Sequence, residues 1–457
     1  MPPSMTFPCS FILGSSKSDE GSKGEAEILL EDERLTLSPK FGEPLHLSLI
    51  DMTEIAPGDY RAVLALSSGE RLSILNLGYK FDDFLTNLFH LRNEMMLKYL
   101  LMSEKATKSG IAADLAHIDG SGAESQFDGC EVRLYETCIV FIPIRGEPYR
   151  LHYSNIAQVE SGDYSIRIST DLGEHFTISR MGKEYDDTAG SLSDSMNALS
   201  VRVQSLLKDV IPSADPSVIR ALARLMKDGK AAKRFDIESV SREVWSALEK
   251  KLEQTSIWEP YQYLKSIGRQ EKIAAGIKRG LMGDLTGIHV SLLIPIYSSA
   301  PTGNAIALES VRLSSSSQDE ELANSEAPPQ QDSEISAGGS ATYFFRIVGR
   351  SDYPAIAGNV KDLDIKVDNL IPKMNQLMLD INFRREPIYL SDDRLKNEPK
   401  YARYRFAAQK VTSLRELRML FIGRVIHSSF DQWKSDVSDL LSFNTSSNDD
   451  SKRWEKT

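Results

Sequence analysis

Gly42-Glu43-Pro44, Gly58-Asp59-Tyr60, Gly69-Glu70, Gly78 and Asp82-Asp83 recur in ungapped register as Gly146-Glu147-Pro148, Gly162-Asp163-Tyr164, Gly173-Glu174, Gly182 and Asp186-Asp187. The offset is 104 residues throughout, and positions 42–83 share 13 identities in 42 with positions 146–187. The matches gather at turn residues, as expected for two copies of one supersecondary unit.

The residues around those turns read as strands. Leu45, Leu47 and Leu49 alternate with His46 and Ser48. In the second copy Tyr149, Leu151 and Tyr153 alternate with Arg150 and His152, and Tyr164, Ile166 and Ile168 with Ser165 and Arg167. Period-two alternation marks a sheet with one wet and one buried face. Gly69-Glu70 and Gly173-Glu174 read as hairpin turns, where glycine supplies positive φ. After Gly78 and Gly182 the period lengthens. Phe81, Phe84, Leu85, Leu88, Leu91 and Met95 recur at helical steps, as do Tyr185, Leu192, Met196, Leu199 and Val203. Each set predicts an amphipathic helix of about five turns or more. The Asp pairs fall in the first turn, where acids complement the helix dipole.

Antiparallel strands closed by one amphipathic helix resemble the pleckstrin-homology-like (PH-like) barrel family. The strand alternation, the repeated Gly-Glu-Pro and Gly-Asp-Tyr turns and the closing helix carry that resemblance, over roughly residues 5–105 and 110–210. It implies a fold and brings no catalytic signature. The whole chain also resembles an uncharacterised bacterial family, from which no activity carries over. The expected class is α+β, with PH-like domains over 1–105 and 106–210 and a helical connector over 211–283. A C-terminal α+β domain over 284–443 follows, readable as a divergent third copy, with a disordered insertion at 314–340 and a disordered tail at 444–457.

In that second half, Ile219, Leu222, Ala223, Leu225 and Met226 form one helical face, and Val240, Val244, Leu248 and Leu252 another. Lys230 to Arg234 reads as a solvated turn between them. Val290–Tyr297, Ala305–Leu313 and Ala341–Val348 read as strands, and Phe344-Phe345 as core. Helices are expected over Val360–Ile381, Leu414–Ile426 and Phe430–Leu441, with Trp433 packed inside. The segment 314–340 has six acids and no basic residue, too little apolar surface to order itself.

Bulk charge argues against a polyanion-coating protein: 54 Lys and Arg against 65 Asp and Glu give −11. Two local exceptions stand out. Residues 206–283 carry 15 basic and 10 acidic side chains, densest at Lys227, Lys230, Lys233 and Arg234. Residues 384–424 carry 11 basic and 5 acidic, with Tyr401, Arg403, Tyr404, Arg405, Phe406 and Lys410 interleaved. Lys227, Lys230, Lys233, Arg234, Arg403, Arg405 and Lys410 are the candidate anion-facing residues. The hairpin where PH domains bind phosphoinositides falls near 14–24 and 118–128. Lys17 and Lys23 share the first with Asp19 and Glu20, and the second has Asp119, Glu124 and Asp128 without a cation, so no positive well forms.

Catalytic and metal motifs are missing from the sequence. There is no Gly-x-Ser-x-Gly and no His-Glu-x-x-His, and the seven histidines are scattered. Asp362, Asp364 and Asp368 lack the glycine and terminal glutamate of a calcium loop. Gly14–Lys17 and Gly120–Gly122 match neither phosphate-loop pattern. Cys9, Cys130 and Cys138 are too few for a disulfide framework, and a reducing cytoplasm is expected. No secretory leader and no bilayer-spanning apolar run are expected.

The expected function is a non-catalytic cytoplasmic adaptor that binds protein partners or self-associates through its PH-like modules. No cofactor, metal or small-molecule substrate is expected. Peripheral binding to an anionic membrane or to nucleic acid through the two basic stretches is the alternative, and an enzyme with an unfamiliar site is a third reading.

Overall fold

In the computed structural model, residues 5–15, 21–101, 104–281, 284–297, 303–313 and 341–446 are described. The expected insertion at 314–340 lies outside them. The chain divides into two compact units, residues 1–195 and 196–457.

The first unit holds both copies. Strands β1 (Met5–Ser15), β2 (Ser22–Glu31), β3 (Arg34–Pro39), β4 (Leu45–Ser48), β5 (Met52–Gly58), β6 (Arg61–Leu66) and β7 (Glu70–Leu75) form one antiparallel sheet, with helix α1 (Phe81–Tyr99) after it. Strands β8 (Lys108–Ile118), β9 (Glu124–Leu134), β10 (Cys138–Pro143), β11 (Tyr149–His152), β12 (Ile156–Gly162), β13 (Ser165–Thr170) and β14 (His175–Ser179) form the second, followed by α2 (Tyr185–Val210). The spatial orders, β4-β3-β2-β1-β7-β6-β5 and β11-β10-β9-β8-β14-β13-β12, are the same arrangement. Both sheets curl into half-barrels. The first strand pairs on both sides, so the chain wraps the sheet round it before the helix closes the core.

The expected turns sit where their conformations are needed. Gly69 and Gly173 have φ of +86° and +80° between β6 and β7 and between β13 and β14. The Gly-Asp-Tyr repeats are the β5–β6 and β12–β13 hairpin tips, with Tyr60 and Tyr164 at φ of +50° and +54°. A tyrosine rarely adopts that region. Each ring rests on the first helical residue, Tyr60 at 5.7 Å from Phe81 and Tyr164 at 5.6 Å from Tyr185. The contact ties a hairpin tip to the start of the closing helix.

α1 buries two faces. Phe81, Phe84, Leu85, Leu88, Phe89 and Met95 enter the first core with Phe7, Ile28, Leu35, Leu64 and Ile74. Leu97 joins Tyr135, Cys138, Val140 and Ile142 of the second half-barrel. In that half-barrel β10, Cys-Ile-Val-Phe-Ile-Pro, is buried at every position instead of alternating. Burial pushes the Cys9 thiol up to about 11 and that of Cys130 up to about 12. Both therefore stay protonated at neutral pH, where the thiolate is the reactive form. Thiol-reagent labelling of the native protein at pH 8 is expected to follow unfolding at these two cysteines, a rate that rises with denaturant.

The second unit is one antiparallel sheet of β15 (Ala232–Lys233), β16 (Ala274–Leu281), β17 (Asp284–Ile296), β18 (Ala305–Leu313), β19 (Ala341–Phe345) and β20 (Phe421–Ile426), in that order. This simple meander does not repeat the order of the half-barrels. The stretch expected as a helical connector supplies two of its strands besides the helices Pro216–Leu225, Arg234–Val240, Arg242–Leu252 and Trp258–Ile267. The helix expected over 414–426 ends at Leu420, and Phe-Ile-Gly-Arg-Val-Ile pairs with β19 as an edge strand. Here strand pairing overrides an apolar run that merges into the preceding helix.

β19 is buried along its length, with Phe344 and Phe345 fully enclosed. Helices cover both of its faces. Thr342 meets Trp433 of the Phe430–Ser446 helix, and its neighbour Tyr343 meets Tyr389 on the opposite side. Asn444, expected in a disordered tail, is 2% exposed within the last helix. It accepts from Arg346 Nε at 2.7 Å and donates to Asn304 O at 3.0 Å. Residues 447–457 lie outside the described ones.

Candidate functional site

The most developed recognition surface in the first unit is the one that α1 occupies on β9–β11. Its centre is apolar: Leu97 over Tyr135, Cys138, Val140 and Ile142. Its rim is polar and specific. Arg92 has a side chain only 2% exposed, yet it reaches both half-barrels. Nε and Nη2 donate to Met52 O at 3.2 and 3.1 Å, and Nη2 pairs with Glu147 Oε1 at 2.9 Å. Asn93 Nδ2 donates to Gly146 O at 2.9 Å. Arg133 clasps Glu94 at 2.5 and 3.2 Å, and Arg145 meets Asp82 at 2.5 Å. The Gly146-Glu147 turn of the repeat thus serves as a clamp on a helix from the other copy. In the first copy Gly42, Glu43 and Pro44 are exposed.

The outer face of β3 shows why. At the positions matching Cys138, Val140 and Ile142 it carries Arg34, Thr36 and Ser38. Thr36 Oγ1 bonds His46 Nδ1 at 3.0 Å across to β4. A polar strand face offers no apolar seat for a helix. The first half-barrel instead shows aromatic side chains at its α1 end: Tyr60 is 73% and Tyr79 91% exposed.

The seven candidate cations all lie in the second unit. Lys227 opens a short turn (Lys227–Gly229), Lys230 follows it, Lys233 is in β15, and Arg234 starts its helix. Arg403, Arg405 and Lys410 share the Ala402–Lys410 helix. Arg403 is exposed and the other six are half-buried. The 230–234 segment is not the solvated turn expected. Asn375 holds Ala231 from both sides, accepting from its N at 2.8 Å and donating to its O at 3.0 Å. Asp228 pairs with Lys278 at 2.7 Å. Lys233 and Lys272 both meet Asp368, at 3.1 and 2.9 Å. Burial pushes the Asp368 carboxyl up, but the two lysines outweigh it and hold it below the usual range. Arg234 pairs with Glu238 at 2.7 Å and lies over the Trp245 ring. Lys233 and Arg234 thus neutralise charges of their own fold.

The other sequence candidates resolve into local roles. Asp364 accepts the Tyr297 hydroxyl, and Asp362 N bonds the capping Asn359. Among the described residues no group of His, Cys, Asp or Glu could hold a metal ion. Asp119 Oδ1 accepts from Ser121 N and Ala123 N, both at 2.9 Å, folding the 118–128 loop on itself. Ser16 and Lys17 lie outside the described residues.

One buried cluster has the composition of a catalytic triad without its wiring. Glu309 Oε2 accepts from Thr342 Oγ1 at 2.6 Å and lies 3.0 Å from His427 Nε2, while Thr342 Oγ1 lies 3.2 Å from that same nitrogen. A base that relays a proton needs its orienting carboxylate on one ring nitrogen and the hydroxyl on the other. Here both meet Nε2, and Trp433 Nε1 donates to the hydroxyl at 3.2 Å. The arrangement binds strands to the last helix.

The two half-barrels fit a PH-like fold. Their strand order and closing helices carry that fit. No protein-family model matches the sequence, and no curated protein matches it. Solved structures with some likeness include the C-terminal domain of an unknown protein from Leishmania infantum, at 15% identity and a TM-score of 0.18, covering 23% of this chain and 96% of that one. Another is the Spt16D Pob3N heterodimer, at 12% identity and a TM-score of 0.16, covering 37% of this chain and 84% of that one. Scores this low support no further inference from either. No helix among the described residues is long and apolar enough to cross a membrane.

Proposed function

We propose that this chain is a non-catalytic adaptor or scaffold that binds protein partners, or a second copy of itself, through its PH-like half-barrels. The docking of α1 on β9–β11 carries this reading. There the outside of one half-barrel grips a helix belonging to another, using an apolar seat and a clamp of half-buried polar bonds. Helix-in-groove binding of a partner uses the same contacts. In this reading a partner meets the first half-barrel at the exposed Tyr60 and Tyr79, since tyrosine supplies large contact area at low entropic cost. The matched turns and strand orders support an origin by internal duplication. A cytoplasmic location agrees with three buried cysteines that form no disulfide, and the bacterial family resemblance belongs to the same reading.

Light scattering of the purified chain across concentration, with quantitative capture from its native host, tests the proposal. A stoichiometric protein complex or a dimer is expected, and Tyr60→Ser with Tyr79→Ser should weaken it while Arg403→Glu leaves it intact. An inert monomer with no stoichiometric partner would remove the adaptor reading. Loss of binding on Arg403→Glu alone, with strong salt dependence, would transfer the function to a polyanion.

A further inference from the structure

Arg385 is 5% exposed, and its guanidinium has one hydrogen-bond acceptor among the described residues. Nη2 donates to Ser310 Oγ at 2.6 Å, while Nε and Nη1 have no hydrogen-bond acceptor among the described residues. The adjacent carboxylates are engaged elsewhere. Glu386 Oε2 accepts from the Arg385 backbone N at 3.1 Å. Glu309 takes Thr342, His427 and the Ser310 N. A guanidinium carries five donors and cannot shed its charge in water. Burying it with most of them idle is strongly unfavourable unless something else accepts them.

Its surroundings have the chemistry of an anion cradle. Arg385 Cζ lies 5.6 Å from the Tyr343 ring centre. Arg424, opposite Tyr343 in the β19–β20 register, stacks its Cζ 3.9 Å above Tyr389. The two tyrosine rings are 6.1 Å apart. The Arg424 side chain also hydrogen-bonds the Tyr343 and Tyr389 phenols, but its Nε lacks an acceptor among the described residues. Ser310 Oγ bonds Ser291 Oγ at 2.8 Å, which holds it beside Arg385. Two arginines, a serine hydroxyl and two phenols therefore converge on one face of the sheet. Tyr389 and Arg424 are half-buried, so that side opens to solvent.

We propose that this face binds a phosphate group, with Arg385 and Arg424 as its cationic ligands and Ser310 as a hydroxyl ligand. Guanidinium forks match the paired oxygens of phosphate. Among the described residues neither arginine forms an ion pair, although the Glu309 and Glu386 carboxylates act on Arg385 from farther off, and a phosphate would supply the direct anionic acceptor that both lack. The phosphate can be free or esterified, and the stacked tyrosines give an esterified group an aromatic wall.

Thermal unfolding and calorimetry of the full chain, at fixed ionic strength, test this with inorganic phosphate in one arm and a nucleoside monophosphate in the other. Saturable stabilisation by at least one of them is expected. Tighter binding in the second arm assigns an ester, and equal binding assigns the free ion. Arg424→Gln should weaken binding at least about tenfold, the loss of one charged contact. Arg385→Met should abolish it while raising the melting temperature of the unliganded protein, because a desolvated, idle charge has gone. If Arg385→Met does not fold, Arg424→Gln and Ser310→Ala decide. No response of the wild type to either probe would overturn the site. So would an equal response of wild type and Arg424→Gln, which marks a general salt effect or an adventitious ion only.

Discussion

Ile142→Asp will detach α1 from the second half-barrel. Ile142 is 5% exposed and belongs to the apolar seat under Leu97. The substitution removes a well-buried aliphatic side chain, about 1.5–3 kcal/mol, and sets a carboxylate opposite Glu131, whose neighbour Arg133 is already shared between Glu131 and Glu94. Together these should cost about 4 kcal/mol or more. Ser38→Asp, at the matching position of β3, is half-buried in a polar face and should shift stability by about 0.5 kcal/mol. Urea unfolding of both variants measures the difference, and near-equal midpoints would refute the docking of α1 on β10.

Gly276→Ala should be comparably damaging for a different reason. A Cβ there would lie 2.2 Å from Gly229 O and 3.0 Å from Ala231 N, both backbone atoms that cannot swing aside. The 227–231 segment must then retreat, loosening the Asn375–Ala231 bonds, the Asp228–Lys278 pair and the β15–β16 pairing. Overpacking together with lost buried hydrogen bonds should cost about 3–5 kcal/mol. Gly58→Ala is the control, its Cβ meeting nothing closer than Arg61 O at 3.8 Å, and it should be near neutral. Parallel denaturation curves decide, and equal midpoints would mean that the segment does not press on β16.

Much of the first unit was legible because its turns depend on backbone conformations that few residues adopt. Glycine at 69 and 173 and the Gly-Asp-Tyr tips stay the same while the strands between them drift. The docking face leaves a sequence signal as well: the all-apolar Cys138–Pro143 run departs from the alternation of Arg34–Pro39, as a strand buried on both faces must. The second unit gave less away. A two-residue strand such as Ala232–Lys233 has no periodicity to detect, and Phe421–Ile426 follows a leucine-rich helix without a break. Nor does sequence spacing reveal that Lys233 and Lys272 converge on Asp368, or that Arg385 and Arg424 come together through the Tyr343 pairing. The first meeting depends on where the Val360–Asp380 helix packs against the sheet, and the second on the Tyr343–Arg424 strand register.

A module that seats its predecessor's helix on its own outer wall is a head-to-tail device, and such devices have no natural end. If β3 offered the same wall as β10, the helix of one molecule could seat on the front of the next, and the geometry would propagate into fibres. Arg34, Thr36 and Ser38 leave β3 without such a seat. Converting them to Cys, Val and Ile would hand the chain the means to polymerise.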